Sequence, residues 1–364
     1  LFSYNHGVLR KLPVHNPASR FGQQRSYDEE HVPEQSQQLL QDESRSILSE
    51  NTSPDLGFRF SLNAYRGCAH GCSYCYARPS HEYLGLGSGT DFERKLLFKP
   101  SAAELLRKTF QKKSWRGELI VVSGNTDAYQ PLEAQLGLTR ACLDVCLEFQ
   151  NPVHIITKST LVERDIDLLV RLKACSSVSV SISVTSFDDS VSRALEPYAP
   201  APRRRIETIR RLAAQGIPVR VHVAPWIPSL TDHDLVPILE AARSAGATSA
   251  MAQPVRLPGS VAQVFEERLR RDFPLQAEKV LGRIRDIRSG KLNDSHFGTR
   301  MRGSGAYAET VRATFQATCR RLGYEPLAPA NEHSFRRPSS MGSNSPREGA
   351  TNSPQLSLFP NRAE

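Results

Sequence analysis

Six short apolar stretches alternating with helix-type patterns predict an α/β protein, an open, partial (β/α)6 barrel of the TIM-like type. Three observations carry that expectation. Phe58–Leu62, Leu119–Ser123, Val153–Thr157, Val178–Val184, Pro218–Ala224 and Thr248–Gln253 each have the length and apolar character of one buried strand. Between them, Glu133–Glu148, Leu161–Ala174, Arg203–Gln215 and Asp232–Ala245 repeat apolar residues at helical spacing, and Gly216 and Gly246 stand where two of those helices stop. Strands that alternate with helices pair in parallel, and six units fall short of the eight that close a barrel.

The elements follow in order. Residues 1–56 are polar, rich in Gln, Ser and charge, and read as a mobile or loosely docked arm. The barrel is expected over 57–257. In it, Val178, Val180, Ile182 and Val184 share one strand face, and Ser179, Ser181, Ser183 and Thr185 the other. Val219, Val221 and Val223 likewise oppose Arg220 and His222. The apolar faces should meet the helices, which leaves a lumen polar enough for a polar ligand. Residues 258–327 are helical in pattern (Val261–Arg271, Pro274–Ser289, Tyr307–Leu322) and are expected to cap the open side. From Ala328 the composition turns to Ser, Asn, Pro, Gly and Arg, a disordered tail that ends in the apolar cluster Gln355-Leu356-Ser357-Leu358-Phe359.

The chain has 364 residues, 39% of them hydrophobic, and a net charge of +9 that favours an acidic partner such as nucleic acid. No apolar run approaches the ~20 residues that cross a bilayer, so no membrane partner is expected. The first residues have no long apolar stretch of a signal peptide, and the chain opens on Leu1, so the natural start is expected upstream. A cytoplasmic location is expected. Seven unevenly spaced cysteines argue against a disulfide framework and for a metal site in a reducing compartment.

Three of those cysteines crowd into Tyr65-Arg66-Gly67-Cys68-Ala69-His70-Gly71-Cys72-Ser73-Tyr74-Cys75-Tyr76, directly after the first strand. Thiolates suit zinc or an iron–sulfur cluster. Structural zinc takes four protein ligands, commonly as paired knuckles, and no second knuckle follows. Three thiolates suit a cubane with one iron left open. His70 is read as a solvated loop residue. Cys142 and Cys146, four apart on a helix among leucines, are read as core; Cys175 and Cys319 are isolated.

The spacing C-x3-C-x2-C with Tyr74 before the third cysteine resembles the signature of the radical S-adenosylmethionine (SAM) superfamily. That resemblance implies a [4Fe–4S] cluster on Cys68, Cys72 and Cys75, SAM on the open iron, and reductive cleavage to a 5′-deoxyadenosyl radical. It also implies a reducing electron donor as partner. Further segments are similar, in order, to the spore photoproduct lyase group: Ser123-Gly124-Asn125-Thr126-Asp127 with Glu133, Thr157-Lys158-Ser159, Ser181-Ile182-Ser183, Glu196-Pro197 and Ala224-Pro225. The match runs over roughly 58–257 and points to an uncharacterised bacterial branch of these lyase-like proteins. Carried over, Tyr74 packs near the adenine of SAM. Ser123, Asn125 and Asp127 approach its methionine part, and Lys158, Ser159, Ser181 and Ser183 meet its carboxylate or ribose. Tyr76 is the candidate for radical transfer. In the lyase group a hydrogen-donating cysteine lies in the segment matching 123–127, and this chain has Gly124 there. DNA is the substrate class the resemblance implies, and reversal of a thymine lesion by the same route is placed in doubt.

Residues Gln355–Phe359 resemble the peptide by which bacterial replication and repair proteins bind the DNA sliding clamp, the second expected partner. Arg203–Arg205, Arg210-Arg211, Arg268 and Arg270-Arg271 form basic clusters, read as a solvated face unless phosphates bind them. Three functions stay open: a radical SAM enzyme on nucleic acid, one on a small molecule or protein, and a non-catalytic metal-binding adaptor in replication or repair.

Overall fold

The structure, a computed structural model, describes residues 16–17 and 37–338. All six expected strands form: β3 (Phe60–Leu62), β6 (Ile120–Val122), β7 (Val153–Thr157), β8 (Val178–Ser183), β9 (Val219–Trp226) and β10 (Ser249–Pro254). They lie side by side in the order β10-β9-β8-β7-β6-β3, every neighbouring pair parallel, and β10 does not return to pair with β3. The result is an open partial barrel. Val153, Ile155, Val178, Val180, Ile182, Val219, Val221 and Val223 are all at most 5% exposed, in one core with the helices. The opposite, inner face carries His154, Ser179, Ser181, Ser183, Arg220 and His222, as the alternation predicts. His154 Nδ1 meets Ser179 Oγ at 2.7 Å and its Nε2 meets Ser181 Oγ at 3.0 Å. Arg220 Nε donates to Ser249 Oγ at 3.3 Å across the next strand pair.

The predicted helix over 133–148 is two helices, Glu133–Leu136 and Leu138–Glu148, parted at Gly137, whose φ of 62° is left-handed. The break lets the buried Glu133 carboxylate accept from Thr139 N at 2.9 Å and Arg140 N at 3.2 Å, capping the second helix at its positive end. Tyr65 and Arg164 also bond this carboxylate. The helix Ala102–Gln111 was not anticipated, although Ala102, Leu106 and Phe110, all buried, recur at i, i+4 and i+8.

The arm expected over 1–56 needs correction within its described part. Residues Gln38–Gln41 (β1) run parallel to Lys95–Phe98 (β5), and Leu48–Glu50 (β2) pairs antiparallel with β3 at the sheet edge. Ile47 between them is 1% exposed. Apolar burial was invisible to composition because one isoleucine in a polar stretch provides it. At the other end, the helices α9 (Val261–Asp272), α10 (Ala277–Asp286) and α11 (Gly305–Leu322) form as expected. The tail is not featureless from 328. Phe335 packs on Phe110 and Phe149, with ring centroids 5.8 and 6.1 Å away. Arg337 donates to the carbonyls of Phe110, Lys112 and Trp115 at 3.1, 2.7 and 2.8 Å. Phe335→Ala is expected to cost about 2 kcal/mol, read as a lower melting temperature; an unchanged melting temperature would return this segment to the tail. Residues 355–359 lie outside the described residues. No helix among the described residues is long and apolar enough to cross a membrane.

Candidate active site

The cysteine loop begins where a two-residue strand, β4 (Tyr65–Arg66), leaves the sheet. It pairs antiparallel with β5, so residues 67–94 form a closed excursion whose ends are tied together. Cys68 N donates to Phe92 O at 2.9 Å just inside the closure. Gly67 turns the chain with φ +76°, and a Cβ there would lie 2.8 Å from Phe92 O. Gln130, fully buried, spans the turn: its Nε2 donates to Gly67 O at 3.1 Å and its Oε1 accepts from Ala69 N at 3.0 Å. Thr126 Oγ1 also donates to Gly67 O, at 2.5 Å. Gly67→Ala is expected to destabilise by at least about 2 kcal/mol, from left-handed strain plus overlap; denaturant unfolding checks it, and a loss under ~0.5 kcal/mol would show that the turn tolerates a side chain.

The loop buries Cys68 and Cys72, at 7% and 6% exposure, and leaves Cys75 partly exposed; all seven cysteines are free thiols. Burial pushes the Cys68 thiol well above its ordinary range, and Asp127 and the other two thiols add to this. Burial likewise pushes Cys72 up to about 12, against a lowering by Lys158. Such thiols become thiolates only when a nearby cation compensates the charge, as bound metal does. Among the described residues, no three His, Cys, Asp or Glu side chains converge as one bound ion requires. A [4Fe–4S] cluster would take one thiolate per iron, and Cys68, Cys72 and Cys75, free thiols within one eight-residue stretch, are the donors whose chemistry fits it.

His70 is a correction: it is 1% exposed, not solvated. Its Nδ1 lies 3.5 Å from Asp127 Oδ2, and burial lowers its pKa to about 4. The loop folds inward here because Tyr198 N bonds the His70 carbonyl at 3.2 Å.

Around the loop stand the other expected residues. The Tyr74 hydroxyl donates to Glu196 and lies 3.1 Å from Thr185 Oγ1. Glu196 is paired in turn with Arg205, both side chains fully buried. Lys158 Nζ lies 5.8 Å from the Tyr74 ring centroid. Burial alone would lower the Lys158 pKa, but Cys72, Tyr74, Glu196 and Asp127 outweigh it and hold the ammonium well above its ordinary value. Asp127 braces two strand ends: it accepts from Thr157 Oγ1 at 2.5 Å, Lys158 N at 2.9 Å and Tyr129 N at 2.9 Å. Ser159 Oγ caps the next helical turn by accepting from Leu161 N at 3.2 Å.

Ser123 and Gly124 both have positive φ, 148° and 115°, and Ser123 Oγ donates to Thr126 O at 3.0 Å. A strained turn at a strand end is a recurrent feature of functional sites. A Cβ at Gly124 would find its nearest neighbour, Ser61 Cβ, 3.9 Å away, so the space for a side chain exists although the backbone disfavours one. Asn125 N donates to Asn63 Oδ1 at 2.9 Å, and Asn125 lines a cavity of about 260 Å³ with Tyr76, Pro79, Tyr83 and Pro258. Tyr76 is 54% exposed. Ser183 faces His222 across the β8–β9 pair, and both nitrogens of that imidazole are shielded from solvent without a hydrogen-bond partner among the described residues. Burial lowers the His222 pKa to about 4, so the ring is neutral.

In the sequence, Glu196 stands out only by resemblance and Arg205 only as part of a charge run, while Gln130, an isolated polar residue, carries no periodic signal of its burial. The basic clusters are largely engaged. Arg211 pairs with Glu163 and Glu207, Arg270 with Glu266 and Glu278, and Arg268 with Glu93.

Comparison with known proteins agrees with this picture. The sequence profile described as the radical SAM superfamily matches residues 62–242. An uncharacterised protein of Mycobacterium tuberculosis (strain ATCC 25618 / H37Rv) is 36% identical over 234 residues, 64% of this chain and 68% of that one. One of Methanocaldococcus jannaschii is 31% identical over 180 residues, 50% of this chain and 65% of its own. The structure of spore photoproduct lyase complexed with dinucleoside spore photoproduct superposes with a TM-score of 0.56 at 14% identity, covering 79% of this chain and 80% of that one. At that identity the likeness shows a shared fold. Radical SAM proteins bind a [4Fe–4S] cluster and SAM, the two cofactors the cysteine spacing implies. The chain belongs to the radical SAM superfamily.

Proposed function

We propose that Cys68, Cys72 and Cys75 hold the [4Fe–4S] cluster and that the chain is a radical SAM enzyme acting on nucleic acid. When bound, the cluster supplies the electron that cleaves SAM reductively to methionine and a 5′-deoxyadenosyl radical. The residues of the chain bind and orient. Lys158 is the cation for the SAM carboxylate, since no carboxylate pairs with it directly among the described residues. Tyr74, locked by Glu196 and Thr185, offers its ring beside the adenine. Ser123, Asn125 and Asp127 form the strand-end turn toward the methionine part. Ser159, Ser181 and Ser183 each keep hydroxyl capacity for carboxylate or ribose.

One observation carries the reading: Cys72, buried in the loop, lies within electrostatic reach of Lys158, Glu196 and Arg205, and the Lys158 ammonium stands 5.8 Å from the ring of Tyr74, between the second and third cysteines. The nucleic-acid substrate is supported by the net charge of +9 and by Tyr76 and Tyr83, 54% and 67% exposed, at the cavity by Asn125. Exposed aromatic rings are stacking platforms for bases. Gly124 offers no thiol, so the hydrogen returned to a product comes from another group, with Tyr76 as the candidate in the chain.

Anaerobic reconstitution tests this. About four irons per chain and reductant-dependent 5′-deoxyadenosine are expected, with turnover stimulated by lesion-containing DNA. SAM cleavage that ignores every nucleic acid would favour the second reading, a small-molecule or protein substrate, which the paired arginines of the basic helices support. Zinc without SAM cleavage would identify a non-catalytic adaptor. Docking of Gln355–Phe359 on the sliding clamp is tested by titration, with Leu358→Ala and Phe359→Ala expected to remove binding.

A further inference from the structure

Beneath the cysteine loop lies a charge network that the proposed chemistry does not use. Arg78, fully buried, donates to Cys72 O from Nε at 2.9 Å and from Nη2 at 2.7 Å, and reaches Gly71 O at 3.3 Å. Its Nη1 donates to Ser88 O at 3.0 Å and Gly89 O at 2.9 Å. Arg268, 6% exposed on α9, donates to the same Gly71 carbonyl at 2.5 Å. Both guanidiniums bond Glu93, whose carboxylate lies between them. A Cβ at Gly71 would sit 3.4 Å from Glu93 Oε2, so the carboxylate lies directly against the loop.

Two cations and one anion leave a net charge of +1 in this trio. Both guanidiniums are buried and the Glu93 side chain is 11% exposed, so the charge acts at lower effective dielectric than in water. The guanidiniums point at the carbonyls of Cys72 and of the residue before it, within the segment that carries the three thiols.

We propose that the Arg78–Glu93–Arg268 network tunes the reduction potential at the cysteine loop, with Arg268 the positioning residue through which the C-terminal helices act on it. The inference rests on the cluster assignment above. The reduction concerned takes one electron from an external low-potential donor, which is oxidised by one electron, and no proton moves. One negative charge is added at the loop. A buried net positive charge beside it stabilises the reduced form and raises the potential. The same contacts make α9 a support of the loop, since Arg268 and Gly71 are 197 residues apart in sequence.

The test is a redox titration of the reconstituted protein, followed by the electron paramagnetic resonance signal of the reduced cluster. Arg268→Met removes one positive charge and is expected to shift the reduction equilibrium about tenfold toward the oxidised form, ~59 mV lower for one electron. Arg268→Lys keeps the charge and is expected to restore most of the wild-type potential. Glu93→Gln removes the negative charge and is expected to move the potential in the opposite direction. Opposite signs separate tuning from structural support, because a loosened loop would lower iron content in both variants without such a pattern. Wild-type potentials in both Arg268→Met and Glu93→Gln at full iron content, or shifts of the same sign, would overturn the proposal. If one variant fails to fold, the sign and size of the shift in the other decide. Wild-type protein that takes up no iron would instead refute the cluster assignment itself.

Discussion

Cys72→Ala is expected to lose the cluster, with iron falling from about four per chain to below one, and to reduce 5′-deoxyadenosine formation to the background without protein. The substitution is a clean probe because the loop does not depend on the sulfur for its shape. Arg78 holds the Cys72 carbonyl, Ser73 N bonds Leu195 O at 2.9 Å, and Gln130 holds the entry to the loop. The apo fold should therefore survive, seen as unchanged circular dichroism. Cys146→Ala supplies the contrast. That thiol is fully buried in the helix Leu138–Glu148 against the barrel core, so its loss should cost ~1–2 kcal/mol of stability while iron uptake persists. Equal iron loss in the two variants, or full iron in Cys72→Ala, would remove the assignment of the cluster to this loop.

Glu196→Gln is expected to destabilise the protein by about 3–5 kcal/mol, the range for breaking one side of a buried ion pair. Arg205 would be left fully buried with its charge uncompensated, and the Tyr74 hydroxyl would lose a charged acceptor. The pH dependence has a definite sign. Burial opposes ionisation of Glu196, but Arg205 foremost, then Lys158, outweigh it and hold its carboxyl down at about 2, from an ordinary 4.5. The ionised group therefore contributes stability that is present above pH 4.5 and lost as pH falls through about 2. In Glu196→Gln that acid-dependent share should vanish, so the variant and the wild type converge in stability toward pH 2. Urea unfolding at several pH values reads both effects. A constant difference from pH 7 to pH 2 would show that the carboxylate charge is not what the site depends on.

Tyr74 connects the two experiments. It lies between the second and third cysteines and is bonded to Glu196, so one contact joins the cysteine loop to the ion pair behind it. Loss of Glu196 is therefore expected to weaken SAM binding even where the cluster assembles, as equilibrium binding of SAM to the reconstituted variant would record.

The alternation of strands and helices was legible in the sequence because period-two and helical patterns are local. They follow from which side of a strand or helix must leave water. All six strands formed, and the Ser–Arg–His face of β8 and β9 turned inward as alternation requires. The cysteine spacing was local too, and with the resemblance it indicated the cofactors. Other features needed contacts between distant residues. The split at Gly137 exists so that Glu133 can cap a helix while bonding Tyr65, 68 residues earlier. Phe335 packs against the core only because Phe110 and Phe149 left a face for it. His70 looked like a loop residue and is buried against Asp127. Tyr74 meets Glu196 across 122 residues, and Arg268 meets the cysteine loop across 197. No periodicity marks such pairs, since a charge run reads alike whether it faces water or a buried carboxylate. Sequence by itself determined the barrel and the spacing of the cysteine loop; tertiary packing alone decided which charges surround that loop, because desolvation and pairing depend on where the chain brings its distant parts together.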